Sequence, residues 1–431
     1  MPSGTATPDE IGRRLAAIWR IEGARVVASL AAITRDVPLA EDLAQEACVE
    51  ALRVWPRDGV PDAPGAWLTA VAKRRAIDTW RRREALDGRY AAIAAALSES
   101  SVDEVEPIGD EVLRLLFVAC HPVLSLEAQC ALALKFVGGL SSEQLARLFL
   151  VPVATMQQRV VRAKRSLSAA AVPFEAPDPH EWQERLAAVL RVIYLIFTEG
   201  YAATSGEQWV QRELATEALR LGRRLAAMLP REPEVHGLLA LMELQSSRFA
   251  ARTGAEGEPV LLEDQDRRRW DHAAIARGRA ALQRVDALGR GRGSYALQAA
   301  IAEQHAIASS VLTTDWASIV VLYEVLGRVA PNPIVELNRA VAVSMLEGPA
   351  TALLLVDALA ADGALAGSHL LPSVRAKLLS RLHRPAEAKR EYELALSRVT
   401  NGAQRSVLER KLWALSTARE FDDDGVTITS R

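Results

Sequence analysis

Seven side chains on one stretch, Thr155, Gln157, Gln158, Arg159, Arg162, Lys164 and Arg165, gather amide, hydroxyl, guanidinium and ammonium groups within about three helical turns. Gln and Arg can form paired hydrogen bonds with a base edge, and Arg and Lys neutralise phosphates. No acidic residue occurs from Gln144 through Phe174 to offset that charge. A helix pair with a solvated basic face satisfies the same pattern, so composition alone does not separate the two readings.

A second concentration is Trp67 to Arg83. Lys73, Arg74, Arg75, Arg81, Arg82 and Arg83 stand against Asp78 alone, with Trp67 and Trp80 interleaved. Aromatic rings beside cations suit single-stranded or melting nucleic acid, where an unstacked base can meet a side-chain plane. For Trp67 taken alone, a place in the core explains it as well. Arginines at a helix C-terminus are also favoured by the helix dipole. A third set is three carboxylates and an amide: Glu41, Asp42, Gln45 and Glu46. Asp42, Gln45 and Glu46 fall at i, i+3 and i+4 and share a helix face, a docking surface for a basic helix or a solvated one.

The elements that must hold these groups read as helices throughout, with no sustained strand alternation. Leu39 to Trp55 carries the acidic set. Pro56 to Gly65, with three prolines and two glycines, is expected to be a loop. Ala66 to Arg83 is the basic Trp-containing helix. Ser141 with Gln144 three residues on forms a capping-box pattern for a helix over Ser142–Phe149. Leu150-Val151-Pro152 breaks it, and a second helix runs from near Val153 to about Ala169. Met156, Val160 and Leu167 form its apolar stripe. Two helices joined by a tight turn, the second polar and basic, make a helix-turn-helix.

Domain boundaries follow composition. The expected segments are 8–83, an acidic Ala/Ser-rich linker over 84–109, partly helical at Tyr90 to Leu97, a second helical unit over 110–171, a Pro-rich join, and a helical region over 180–415. Within the last, Arg375 to Leu396 reads as two short helices with small residues at their crossing, resembling a tetratricopeptide (TPR) unit. Asn332 to Leu359, turning at Gly348-Pro349, reads as the unit before it, and Pro233 to Phe249 as another first helix.

The chain has 431 residues, 50% hydrophobic and 25% charged, with a net charge of −2. That is a globular composition, excludes gross disorder, and leaves nucleic-acid binding to local charge rather than total charge. Cys48, Cys120 and Cys130 are too few for a disulfide framework and fit a reducing compartment. Met1 to Glu10 is polar with two prolines and lacks the pattern of a signal peptide. Leu186 to Phe197, the most apolar run, is too short to span a bilayer and is broken by Arg191. A cytoplasmic, nucleoid-associated protein is expected. Cys120, His121 and Cys130 lack paired zinc-ligand spacing and read as buried thiols beside a histidine. Gly200 reads as a helix C-cap, and Gly289, Gly291 and Gly293 as a turn. There is no nucleophile–base pattern, so no catalytic residue, metal ligand or cofactor is expected.

The order of these elements resembles bacterial extracytoplasmic-function (ECF) sigma factors. Ala40-Glu41-Asp42-Leu43-Ala44-Gln45-Glu46 is similar to the region 2 segment that grips the polymerase β′ clamp helices. Trp67 to Asp78 and the arginines after it resemble the segment that reads and opens the −10 element. Gly139 to Ala146 and Thr155 to Lys164 resemble region 4, which reads the −35 element. Cys120-His121-Pro122, Phe149 to Pro152 and Tyr194 to Tyr201 resemble the subgroup with a long TPR-like C-terminal extension. The resemblance implies an all-α fold of a region 2 domain, a region 4 helix-turn-helix domain and a C-terminal TPR-like superhelix. It implies core RNA polymerase, through the β′ clamp helices and the β flap, and promoter DNA as partners. An intramolecular or protein partner for the C-terminal domain, which would modulate activity, is a further expectation; ATP is not implied. Two departures stand out: Leu150 occupies a turn position often held by Gly, and Pro152 replaces the usual capping Ser. A helix-turn-helix regulator acting without polymerase and a TPR-type scaffold are the competing readings.

Overall fold

The structure, a computed structural model, describes residues 8–83, 109–149, 151–201, 212–254, 258–363, 365–399 and 402–423. Among the described residues the chain is helical and contains no strand, save one isolated bridge between Thr253 and Pro259. Two compact units divide it: Met1–Ile196 with Arg223–Met228, and Phe197–Gly222 with Leu229–Arg431.

The first unit opens with α1 (Pro8–Thr34), α2 (Val37–Asp58) and α3 (Pro64–Arg83). Asp36 caps α2 by accepting the Leu39 N–H at 3.0 Å. The loop expected over Pro56 to Gly65 is shorter in the structure. Pro56 lies inside α2, and α3 begins at Pro64. Proline forfeits one helical hydrogen bond, which a final turn can lose, and it fits a first turn well. The stop is Gly59, whose φ of 82° is the left-handed conformation L side chains avoid.

Next come α4 (Gly109–Ala119) and α5 (Leu126–Leu132), which widens into a π turn at Ala133–Val137. Gly139 then turns the chain at φ 70°. A Cβ there would stand 3.2 Å from the Trp19 carbonyl oxygen of α1, so the small residue serves both conformation and close approach. Then follow α6 (Ser142–Leu148), α7 (Val153–Ala169) and α8 (Trp182–Tyr201), whose residues from Phe197 on belong to the second unit. Ser141 and Gln144 form the capping box in both directions, at 3.2 and 2.8 Å. The Val151 N–H reaches back to the Ala146 carbonyl at 3.0 Å, closing the turn between α6 and α7. Pro152 stands at the N-cap of α7 without a side-chain bond. Leu150 and the linker expected over 84–109, apart from Gly109 at the start of α4, lie outside the described residues. Gly200, expected as a cap, is still helical within α8. The thiols of Cys120 and Cys130 are buried, as expected.

α9 (Arg212–Met228) contributes its last residues, Arg223–Met228, to the first unit. The second unit continues with α10 (Pro233–Ser246), α11 (His272–Ala287), α12 (Ser294–Ile307), α13 (Trp316–Val329), α14 (Pro333–Leu346), α15 (Pro349–Ala361), α16 (Leu370–Arg381), α17 (Pro385–Arg398) and α18 (Gly402–Asp423). From α12 onward each helix packs on the next in sequence, as stacked helical hairpins do. Ala376 of α16 and Ala388 of α17 are fully buried, and Ala376 shares an apolar cluster with Tyr392. The turns at Gly348-Pro349 and at His383-Arg384-Pro385 join the expected pairs.

Candidate nucleic-acid and polymerase interface

The helix-turn-helix is positioned by its apolar stripe. Met156, Val160, Ala163 and Leu167 of α7 are buried, as are Leu145 and Ala146 of α6. Burying those rows turns the opposite rows outward. Thr155, Gln157, Gln158, Arg162 and Arg165 are exposed. Thr155, Gln158, Arg162 and Arg165 stand at i, i+3, i+7 and i+10, one continuous strip of donors. Arg159 is half-buried, and its charge helps hold the Glu127 carboxyl of α5 below its usual range, after hydrogen bonds to the Glu127 backbone and to Ser125.

Lys164 is not on that strip. Its Nζ donates to Asp42 Oδ1 at 2.7 Å and also pairs with Glu41 of α2. Lys135, on the π turn, reaches the other Glu41 oxygen at 3.1 Å. The side chains of Glu41, Lys135 and Lys164 are 4, 12 and 16% exposed, against 66% for Asp42. Glu41 is therefore an interior group, while Asp42, Gln45 and Glu46 remain exposed on the outer face of α2. Burial alone would raise the Glu41 carboxyl, but Lys135 and Lys164 outweigh it and hold it below the usual carboxylate range. Burial opposes the Lys164 charge too, and Glu41 and Asp42 more than restore it, raising the ammonium above its usual range. The neighbouring Cys48 thiol is pushed up to about 12 by burial and then by the Glu41 charge, so it stays protonated at neutral pH.

On α3, Trp67 packs edge-on against the buried Trp55 with ring centroids 5.4 Å apart, and is itself half-buried. Lys73 is half-buried and Arg74 exposed. Arg75 bridges to Glu46 at 3.2 Å and Glu50 at 2.9 Å, tying α3 to α2. The side chains of Asp78, Trp80, Arg81, Arg82 and Arg83 lie outside the described residues.

Sequence reasoning passed over Lys135 and Arg224. The available signal for Lys135 was a lone cation inside the apolar run Cys130–Val137, which requires a buried partner. Arg224 donates to the backbone carbonyls of Ile21 at 3.1 Å and Val137 at 2.9 Å. Nothing in local sequence announces a side chain that seeks carbonyls remote in the chain.

Family models match three segments: Sigma-70 region 2 over residues 20–85, Sigma-70 region 4 over 114–167, and a family of unknown function (DUF6596) over 185–286. The chain is 30% identical over 160 residues to the ECF RNA polymerase sigma factor SigK of Mycobacterium sp. (strain KMS), covering 35% of this chain and 80% of that one. The chain is an ECF sigma factor.

The sigma factor is also 29% identical over 147 residues to SigK of Mycobacterium ulcerans (strain Agy99), covering 33% of this chain and 78% of the relative. Over nearly its whole length it is similar to Uncharacterized protein R00370 of Rhizobium meliloti (strain 1021), 44% identical over 390 residues, 88% of this chain and 90% of that one. No solved structure matches. As a sigma factor it binds core RNA polymerase and promoter DNA and directs transcription initiation. The all-α expectation, with region 2, region 4 and a helical C-terminal region, holds. Among the described residues no helix is long and apolar enough to cross a membrane.

Proposed function

We infer that promoter reading is divided between the outer strip of α7 and the basic end of α3, with the α2 face between them given to polymerase. Thr155, Gln157, Gln158, Arg159, Arg162 and Arg165 read the −35 duplex, amides on base edges and guanidiniums on bases and phosphates. Trp67, Lys73, Arg74 and the following Asp78, Trp80, Arg81, Arg82 and Arg83 capture the −10 strand, where stacking and charge lower the cost of opening. Asp42, Gln45 and Glu46 dock on the β′ clamp helices, and region 4 on the β flap. Two tethered contacts raise each other's effective concentration on polymerase. The helical C-terminal region modulates this activity.

The observation that carries the reading is the exposed row Thr155, Gln158, Arg162 and Arg165 over a buried apolar stripe. Gln158→Ala tests it in run-off transcription from a set of −35 variants with core polymerase. A bidentate contact is worth about 1–3 kcal/mol of base discrimination, and that discrimination should vanish at one base pair. An unchanged base preference removes Gln158 from the reading face. Charge reversal at Asp42 and Glu46 should lower core affinity while helicity stays intact. Unaltered affinity displaces the docking face.

A further inference from the structure

Regions 2 and 4 are not independent bodies here: both lie in the first unit. Three observations bear on what joins them. First, the buried Glu41 of region 2 holds two lysines of region 4, Lys135 and Lys164, and Lys164 also holds Asp42. Lys135 sits on a π turn, a helix defect that recurs at functional places. Second, Arg224, from the segment that matches the family of unknown function, donates to a carbonyl of each region, Ile21 and Val137. The same segment's neighbourhood is anchored on region 4, where Arg185 donates to the Phe117 carbonyl at 3.0 Å and Trp182 packs on the Phe117 ring. Third, an open cleft of about 260 Å³ lies at the surface between the regions, with Arg35, Asp36 and Val37 on one side and Val118, Leu167 and Val172 on the other. Beside the helix packing of α1 on α4, directional ionic and carbonyl bonds therefore join the two regions next to an open cleft.

We propose that this sigma factor carries its own clamp: Glu41 and Asp42 are an intramolecular docking site for Lys164 of the −35 helix, and Arg224 of the C-terminal extension pins both regions in that closed form. Closed, Lys164 is withdrawn from promoter phosphates and Asp42 is partly covered against polymerase. Opening restores both faces together. The extension thereby does within one chain what a separate inhibitory protein would do. The competition with polymerase rests on the docking face inferred above; the closure itself does not.

The test uses the full chain. Spin labels at Asp58→Cys and Ser168→Cys, in a Cys48→Ser background, report the distance between α2 and α7 without polymerase or DNA. The parent protein should give one narrow distance. Lys164→Glu should broaden and lengthen it, and Glu41→Lys combined with Lys164→Glu should narrow it again. Arg224→Met, which leaves the buried carboxylate untouched, should broaden it as well, with helicity by circular dichroism unchanged. A distribution that stays narrow in Lys164→Glu and in Arg224→Met overturns the clamp. In the second arm, core polymerase titrated with the unlabelled proteins should bind Arg224→Met more tightly, by up to about ten-fold if the open form is about a tenth of the population. Opening without any gain in affinity sinks the competition, while a failure of Asp42→Lys to weaken core binding sinks the docking face and leaves the distance result standing.

Discussion

Helices α3 and α7 are both basic, and both lean on α2, yet the two contacts are of different kinds. Arg75 of α3 meets Glu46 and Glu50 at the surface, within one region, and water screens the pairs. Lys164 of α7 meets Glu41 in the interior, together with Lys135, and crosses from one sigma region to the other. The exposed bridge can be lost with little effect. The buried one cannot lose a single member cheaply, because a charge stripped of its partner there has no water to replace it. One acidic helix therefore serves as a weak tie to its neighbour in sequence and a strong, breakable tie to a distant helix.

The comparison breaks most directly at Glu41. Glu41→Ala leaves Lys135 without its carboxylate and Lys164 with Asp42 alone, and should destabilise the first unit by about 3–5 kcal/mol, read from chemical denaturation of the full chain. A loss no larger than that of a surface substitution would put Glu41 in solvent contact. Leu145→Ala, in the helix-turn-helix core, should cost about 2–5 kcal/mol and abolish −35 recognition with it. Retained duplex binding by that variant would separate the fold of α6 from the presentation of α7.

Acid should sharpen the contrast next. The Glu41 carboxyl lies below its usual range in the folded state. Its contribution is complete above the ordinary carboxylate value and lost as pH falls through the lowered one. Lys164 is raised, so its contribution is complete below the ordinary lysine value and lost as pH rises through the raised one. Asp42, Lys135 and Cys48 face this cluster as well, and Glu143 of α6 lies within reach of the Lys135 charge. The spin-label distance should hold across the neutral range and widen at both extremes; widening near neutrality would contradict this order.

Smaller still, Arg162→Ala should lower duplex affinity across all sequences and reduce its salt slope by about one, as loss of one phosphate contact does. A sequence-selective loss would make Arg162 a base reader instead. Least of all, Arg75→Ala should leave the denaturation midpoint within experimental scatter, and a marked shift would erase the distinction between the two ties.

Local chemistry made much of this legible. The capping box at Ser141 and Gln144, the apolar stripe of α7 and the small residues of the α16–α17 crossing each encode their own structure within one or two turns. The same periodicity placed the seven polar and basic residues of α7 opposite that stripe, but only packing separated the exposed row Thr155, Gln158, Arg162 and Arg165 from Arg159 and Lys164. Glu41 and Lys164 were legible as charged residues but not as partners. Each looked like a surface group with an external target. Pro56 misled for a local reason: proline weighs against a helix interior, but the end of α2 tolerates it until Gly59 turns the chain.

Taken alone, the order of residues determined the helices, their caps and the kinship with sigma factors, because these depend on interactions between near neighbours and on recognisable spacing. Which charges face solvent and which face each other was decided by tertiary packing. Lys164 and Glu41 are 123 positions apart, and Arg224 reaches a carbonyl 203 positions away. Pairings at that separation arise when helices pack and exclude water, so burial, not residue type, turned two expected ligand contacts into a bond within the chain.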